Sequence, residues 1–144
     1  MPVKPFRGKL AHDSQDTIRL GTNNGLTGYQ ITLFDMMPVA PGAQSNESVV
    51  KVFKRSQSTI DGTIDFDDNA LLAAGFLAEN GDARFHVNPT VVFDNEIFNQ
   101  DIYITYFDVD GANGEVNYYL ELKQVKLDLN EATVATLKDM RGSN

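Results

Sequence analysis

Val116, Tyr118, Leu120 and Leu122 fall on alternate residues with Asn117, Glu121 and Lys123 between them, a period of two that admits a strand with one buried face. The parity then flips, because the next apolar residues are Val125 and Leu127. One face cannot hold both sets, so a β-bulge or a change of sheet is expected near Lys123 and Gln124. Asp128 follows at once, three residues before Glu131, the spacing at which a cap side chain and a carboxylate satisfy each other's backbone donors. The spacing predicts a helix over about 129–141, with Lys138 and Arg141 in its last turns and Gly142 beyond. Leu129, Thr133, Leu137 and Met140 lie roughly along one side, the side expected to dock.

Residues 101–107 are dense in β-branched and aromatic side chains and read as another strand. Residues 108–114 supply two glycines and three short polar residues, the chemistry of a turn with positive φ, so the expectation is a β-hairpin running from Asp101 into the capped helix. The same signals recur upstream. Asn23-Asn24-Gly25 between residues 17–20 and 28–34 predicts a first hairpin, with Tyr29, Ile31 and Leu33 on one face. Residues 36–47, with two prolines and a glycine, read as a long loop. Residues 49–55 make a strand, and residues 58–66 are best taken as one strand with Ile60, Gly62, Ile64 and Phe66 on one side. Residues 67–79 are ambiguous between helix and strand. A single helical turn near 68–72 followed by two strands about a turn at 79–82, the second over 83–87, reconciles both signals. Residues 90–93 complete the series. Eight or nine short strands and one terminal helix favour a mostly β protein, a single-domain antiparallel β-sandwich, with a jelly roll as one form of it. Residues 1–15 read as a basic N-terminal arm and residues 16–144 as the sandwich domain with its helix.

Size and charge narrow the classes. With 144 residues and 42% hydrophobic side chains the chain can bury a core without staples, and it has no cysteine for disulfides or thiolate metal sites. A formal net charge of -8 disfavours nucleic acid as a partner. No run reaches the roughly 18 apolar residues of a membrane span, and the N-terminus, with Pro2 and Pro5, does not read as a signal peptide. Lys4, Arg7 and Lys9 precede the first acidic residue, Asp13, so the arm is either solvated or lies on an acidic neighbour, a second copy included.

No pattern assigns catalysis. His12 and His86 lack partners at metal-ligand spacing, and nucleophile elbows, phosphate-binding loops and thiols are absent from the sequence. Asp108, Asp110 and Asn113 resemble the start of a calcium loop, but Ala112, Asn113 and Tyr119 stand where its fifth, sixth and twelfth positions need other residues. A plain turn is the better reading. Asp61, Asp65, Asp67 and Asp68 fit a solvated strand edge better than a glycosidase pair. The aromatic set Tyr103, Tyr106, Phe107, Tyr118 and Tyr119 is dense enough that some rings must face outward, where a protein or a sugar can use them.

Gly28-Tyr-Gln-Ile31, the stretch 63–74, and above all Val92-Phe-Asp-Asn-Glu-Ile-Phe-Asn-Gln-Asp-Ile-Tyr-Ile-Thr105 with residues 117–122 and 132–141 resemble small virion structural proteins of marine tailed bacteriophages. The resemblance covers about two thirds of the chain and is one of texture. It implies a β-rich, non-enzymatic protein located in the virion, without catalytic residues, cofactor or metal. The implied role is capsid decoration or cement, or alternatively a neck or tail accessory. Its partners would be capsid or tail subunits and further copies in a homo-oligomer, not nucleic acid or membrane. The contacts expected are Lys4, Arg7 and Lys9 in the arm, Met36, Met37 and Val39 in the loop, and the outward Tyr103 and Tyr119. A carbohydrate-binding module using those tyrosines is the alternative from another class.

Overall fold

The computed structural model describes residues 2–21, 25–41, 46–79 and 90–141. Among them the chain forms β1 (Val3–Leu10), β2 (Ser14–Ile18), β3 (Thr27–Pro38), β4 (Asn46–Phe53), β5 (Leu71–Glu79), β6 (Thr90–Phe93), β7 (Ile102–Asp108), β8 (Val116–Lys126) and α1 (Leu129–Arg141). Three strands make a small sheet in the order β1-β8-β3, and five make a larger one in the order β2-β7-β4-β5-β6. Every pairing is antiparallel. The expected sandwich is therefore present. Its core interleaves Leu10, Phe34, Leu120 and Leu122 of the small sheet with Val50, Val52, Ile102, Ile104 and Tyr106 of the large one. The Asn23-Asn24 turn, the 83–87 strand, His86 and Gly142 lie outside the described residues.

Two of the expected hairpins do not form, and the turn of the third, near 79–82, lies largely outside the described residues. β7 pairs with β2 and β4, whereas β8 pairs with β1 and β3, so residues 109–115 arch from one sheet to the other. Both strands are central in their sheets and need two partners each. The arch is built by Asp108, whose Oδ1 accepts the N–H groups of Glu47 (3.0 Å) and Asp110 (3.1 Å) and whose Oδ2 accepts that of Asn113 (2.7 Å). Gly111 and Asn113 take the left-handed conformations that turn chemistry predicts, at φ 87° and 59°. The first hairpin fails in the same way, since β2 and β3 belong to different sheets.

β8 itself follows its alternation, with Val116, Tyr118, Leu120 and Leu122 all buried. The expected irregularity falls on its neighbour: β8 keeps register through Lys126, and β3 carries an extra residue, Thr32, between Ile31 and Leu33. The flipped residues Val125 and Leu127 serve a second, smaller core with Leu26, Ile97, Ala132 and Ala135 beneath α1. The cap forms as expected, with Glu131 N–H donating to Asp128 Oδ1 (2.7 Å) and Asp128 N–H to Glu131 Oε1 (3.3 Å). The docked side is the correction. Ala132 and Ala135 face the sandwich, while Leu129 is 75% exposed and Leu137 lies outward. Small residues let the helix come close enough for buried Asn99 to donate to Ala132 O (3.3 Å) and Thr136 Oγ1 (2.8 Å).

Residues 54–70 contain no strand, contrary to the reading of 58–66. They roof the outer face of the large sheet over β2, β7 and β4, while Phe76 of β5 and Val92 of β6 stay exposed. Lys51, pointing outward from central β4, donates to Asp61 Oδ1 (3.0 Å) and Thr63 O (2.7 Å), Gln57 N–H donates to Gln15 Oε1 (2.8 Å), and Gly62 sits against Val109 and Phe107. The helical turn expected near 68–72 is replaced by turns in which Asp65 and Asp68 accept the N–H groups of Asp67 and Ala70, and β5 starts at Leu71. The ladder to β4 and the covered sheet face override the helix preference of Ala and Leu.

Candidate functional site

The residues read as an N-terminal arm form β1, which pairs with β8 along its whole length, from Val3 opposite Lys123 to Leu10 opposite Val116. Alternation sorts its basic residues. Arg7 and Lys9 project from the outer face of the small sheet beside Tyr119 and Asn117, while Lys4 shares the other face with Phe6 and Leu10 and is exposed. On the far side of β8, β3 continues to Pro38 instead of ending in a loop at Met36. This splits the methionine pair. Met36 is 2% exposed in the core, so it is no contact residue, and Met37 is 56% exposed on the outer face. Val39, 39% exposed, lies just past the strand with its N–H on Glu115 O (3.2 Å).

The outer face of the small sheet thus has four rows across β1, β8 and β3. They are Lys9, Asn117 and Met37; Arg7, Tyr119 and Asp35; Pro5, Glu121 and Leu33; and Val3, Lys123 and Gln30. Its upper half forms a shallow groove of about 670 Å³ lined by Arg7, Lys9, Asp35, Met37, Asn117 and Tyr119. Four of the eight expected contact residues, Arg7, Lys9, Met37 and Tyr119, come together there. Leu33, Asp35 and Asn117 were missed, although continuing the alternation of Leu33, Asp35 and Met37 past Phe34 would have found two of them.

Charge is divided across this face. The cations Arg7 and Lys9 lie on the β1 margin and Asp35 on the β3 margin, with Tyr119 between. Tyr119 donates its hydroxyl to Glu121 Oε1 (2.9 Å), and that carboxylate pushes its ionisation above the ordinary tyrosine value, against the opposing pull of Arg7. Lys9 reaches Glu115 Oε2 at 3.8 Å, an exposed pair that contributes little.

Tyr103 lies elsewhere. It is half-buried on the outer face of the large sheet between Thr17 and Phe53, so the two outward tyrosines occupy opposite sides of the sandwich and cannot make one site. His12 accepts the Asp108 N–H at Nδ1 (3.0 Å) and packs on the Phe107 ring at 4.7 Å, a structural placement. The Asp108 carboxylate is occupied by three backbone donors, as described above. Among the described residues no group of three His, Cys, Asp or Glu is placed to hold a metal ion, and no helix is long and apolar enough to cross a membrane.

No protein-family model matches the chain, and no curated protein matches its sequence.

Proposed function

We propose that the protein is a non-enzymatic virion structural protein, a capsid decoration or cement subunit that docks on capsid subunits and on neighbouring copies through the open face of its small sheet. The observation that carries this reading is the inequality of the two outer faces. The large sheet is roofed over β2, β7 and β4 by residues of its own chain, with Phe76 and Val92 left exposed toward its β6 edge. The small one presents Leu33 and Met37 beside Tyr119, Val3 further along β1, Arg7, Lys9 and Asp35 at its margins and Glu121 and Lys123 along β8. Exposed apolar groups with an aromatic centre and a polar rim are the make-up of a protein contact surface. The likeness in sequence texture to phage virion proteins supplies the class of partner, with a neck or tail position as the variant of the same role. Repetition on a lattice strengthens a modest contact by effective concentration.

The test is co-sedimentation of the purified protein with phage heads that lack it. Wild type and Tyr103→Ala should bind alike, while Met37→Glu and Tyr119→Ala should lose most of the binding with unchanged thermal midpoints. Equal binding by all four proteins, or none by wild type, rejects the reading.

A carbohydrate-binding role has one observation in its favour, the placement of Arg7, Asp35 and Asn117 about the Tyr119 ring. Binding on a glycan array that disappears with Tyr119→Ala would promote it over the virion role.

A further inference from the structure

We infer that the outer face of the small sheet pairs with the same face of a second copy, about a two-fold axis lying between the sheets and running along β8. The inference rests on the reading of that face as a docking surface and names its first partner. A closed two-fold contact uses one patch twice, so the patch must complement itself. An axis along β8 lays β1 of one copy over β3 of the other and preserves the rows. Arg7 then faces Asp35 of the second copy, and the symmetric contact repeats it. Neither Arg7 nor Asp35 forms a salt bridge within its own chain among the described residues. One row on, Pro5 faces Leu33 of the second copy, and Tyr119 meets its own image on the axis, where aromatic rings pair well. An axis across the strands would instead set β1 on β1 with the rows reversed, gathering the cations of both copies along one margin and leaving Arg7 without Asp35 opposite.

The same geometry carries a defect. Glu121 and, one row on, Lys123 each meet their own image close to the axis, so the pairing is restrained by two repulsions, of which a neutral side chain at Glu121 removes one. Area restrains it too. Three strands about 4.8 Å apart and four rows about 7 Å apart cover roughly 400 Å² per copy, half of the roughly 800 Å² per partner of a standard stable interface. The association is therefore concentration-dependent.

Sedimentation velocity over a rising concentration series should show wild type passing from monomer to dimer. Arg7→Asp and Asp35→Arg should each remain monomeric, because each opposes like charges twice. An equimolar mixture of the two should dimerise, since the mixed pair restores both contacts. Glu121→Gln should dimerise at lower concentration than wild type. A wild type monomeric throughout, a mixture that fails to associate, or a weaker Glu121→Gln dimer overturns the inference. The head-binding assay separates the two readings. Monomers that bind heads through Met37 remove the pairing and keep the virion role, and dimers that ignore heads do the reverse.

Discussion

Replacing Asn99 with aspartate is expected to release α1 while the sandwich stays folded. Asn99 is fully buried, and its Nδ2 donates to Gly25 O (3.1 Å), Ala132 O (3.3 Å) and Thr136 Oγ1 (2.8 Å), tying the start of β3 to the helix. What else docks the helix is small. Burial of Leu127 contributes about 2 kcal/mol and the methyls of Ala132 and Ala135 about 0.8 kcal/mol each. Aspartate turns the donor into lone pairs aimed at two carbonyl oxygens. The hydrogen bonds lost contribute about 1 kcal/mol each, and an ionised carboxylate buried against those carbonyls adds several more. The penalty exceeds the docking energy, so undocking is the cheaper response. Asn99→Ala lacks the charge; a loss of about 2 kcal/mol should leave the helix docked but raise its opening about 30-fold, at tenfold per 1.4 kcal/mol. Hydrogen exchange read by mass spectrometry separates the cases. Peptides from residues 127–141 should lose protection fully in Asn99→Asp and partly in Asn99→Ala, with β7 and β8 unchanged. A protected helix in Asn99→Asp, or equal loss in helix and strands, refutes the reasoning.

Three further perturbations follow from the packing. Gly8→Ala puts a Cβ 2.8 Å from Tyr118 Cε2 and 2.9 Å from its hydroxyl; a loss of about 1–3 kcal/mol in urea denaturation should shrink in the Gly8→Ala, Tyr118→Leu double variant. The Asp61 carboxyl is held below its ordinary value, mainly by the hydrogen bond from Lys51, so its contribution is present above the unfolded pKa of about 3.9 and is lost as pH falls through the folded value. Asp61→Asn should flatten the acid limb of a thermal-midpoint titration slightly, because the carboxylate is 56% exposed and screened by solvent. Burial raises the ionisation of Tyr106 and Tyr118 above 10.0, so their contribution is full below pH 10 and is lost as pH climbs through the folded values. Absorbance at 295 nm should show both ionising together with unfolding, and Tyr118→Phe should remove one from that step.

Local signals proved legible and partnerships did not. The Asp128–Glu131 cap, the alternation of β8 and the short β6 were all readable because each is decided by residues a few places apart. Sheet membership is decided at long range. Residues 108–114 have turn chemistry that serves a hairpin and an arch equally, and only the need of β7 for both β2 and β4 makes it an arch. The helix was misjudged for a related reason: counting large apolar residues selects the Leu129 and Leu137 side, but docking followed the small side that lets Asn99 reach the backbone. In the candidate site, the residue types were found and the faces were not. Treating Met36 and Met37 as one loop feature concealed that adjacent residues of a strand point opposite ways.

Lys51 explains why the middle of the large sheet offers no open surface. A lysine in the middle of central β4, between Val49 and Phe53, can be covered only if its ammonium keeps its partners, and Asp61 and Thr63 O supply them from the roof. The large sheet thereby commits the outer face of its β2, β7 and β4 strands to its own chain. On the small sheet the central outward residues are Tyr119 and Glu121, which satisfy each other and ask nothing of a covering segment. That face can stay open in the free protein and still bury apolar and aromatic surface when a partner arrives. An isolated lysine placed there, as Tyr119→Lys, should weaken association more than Tyr119→Phe, which keeps the ring and loses only the hydroxyl. Equal dimer fractions for the two variants in sedimentation would show that the ring carries no part of the contact.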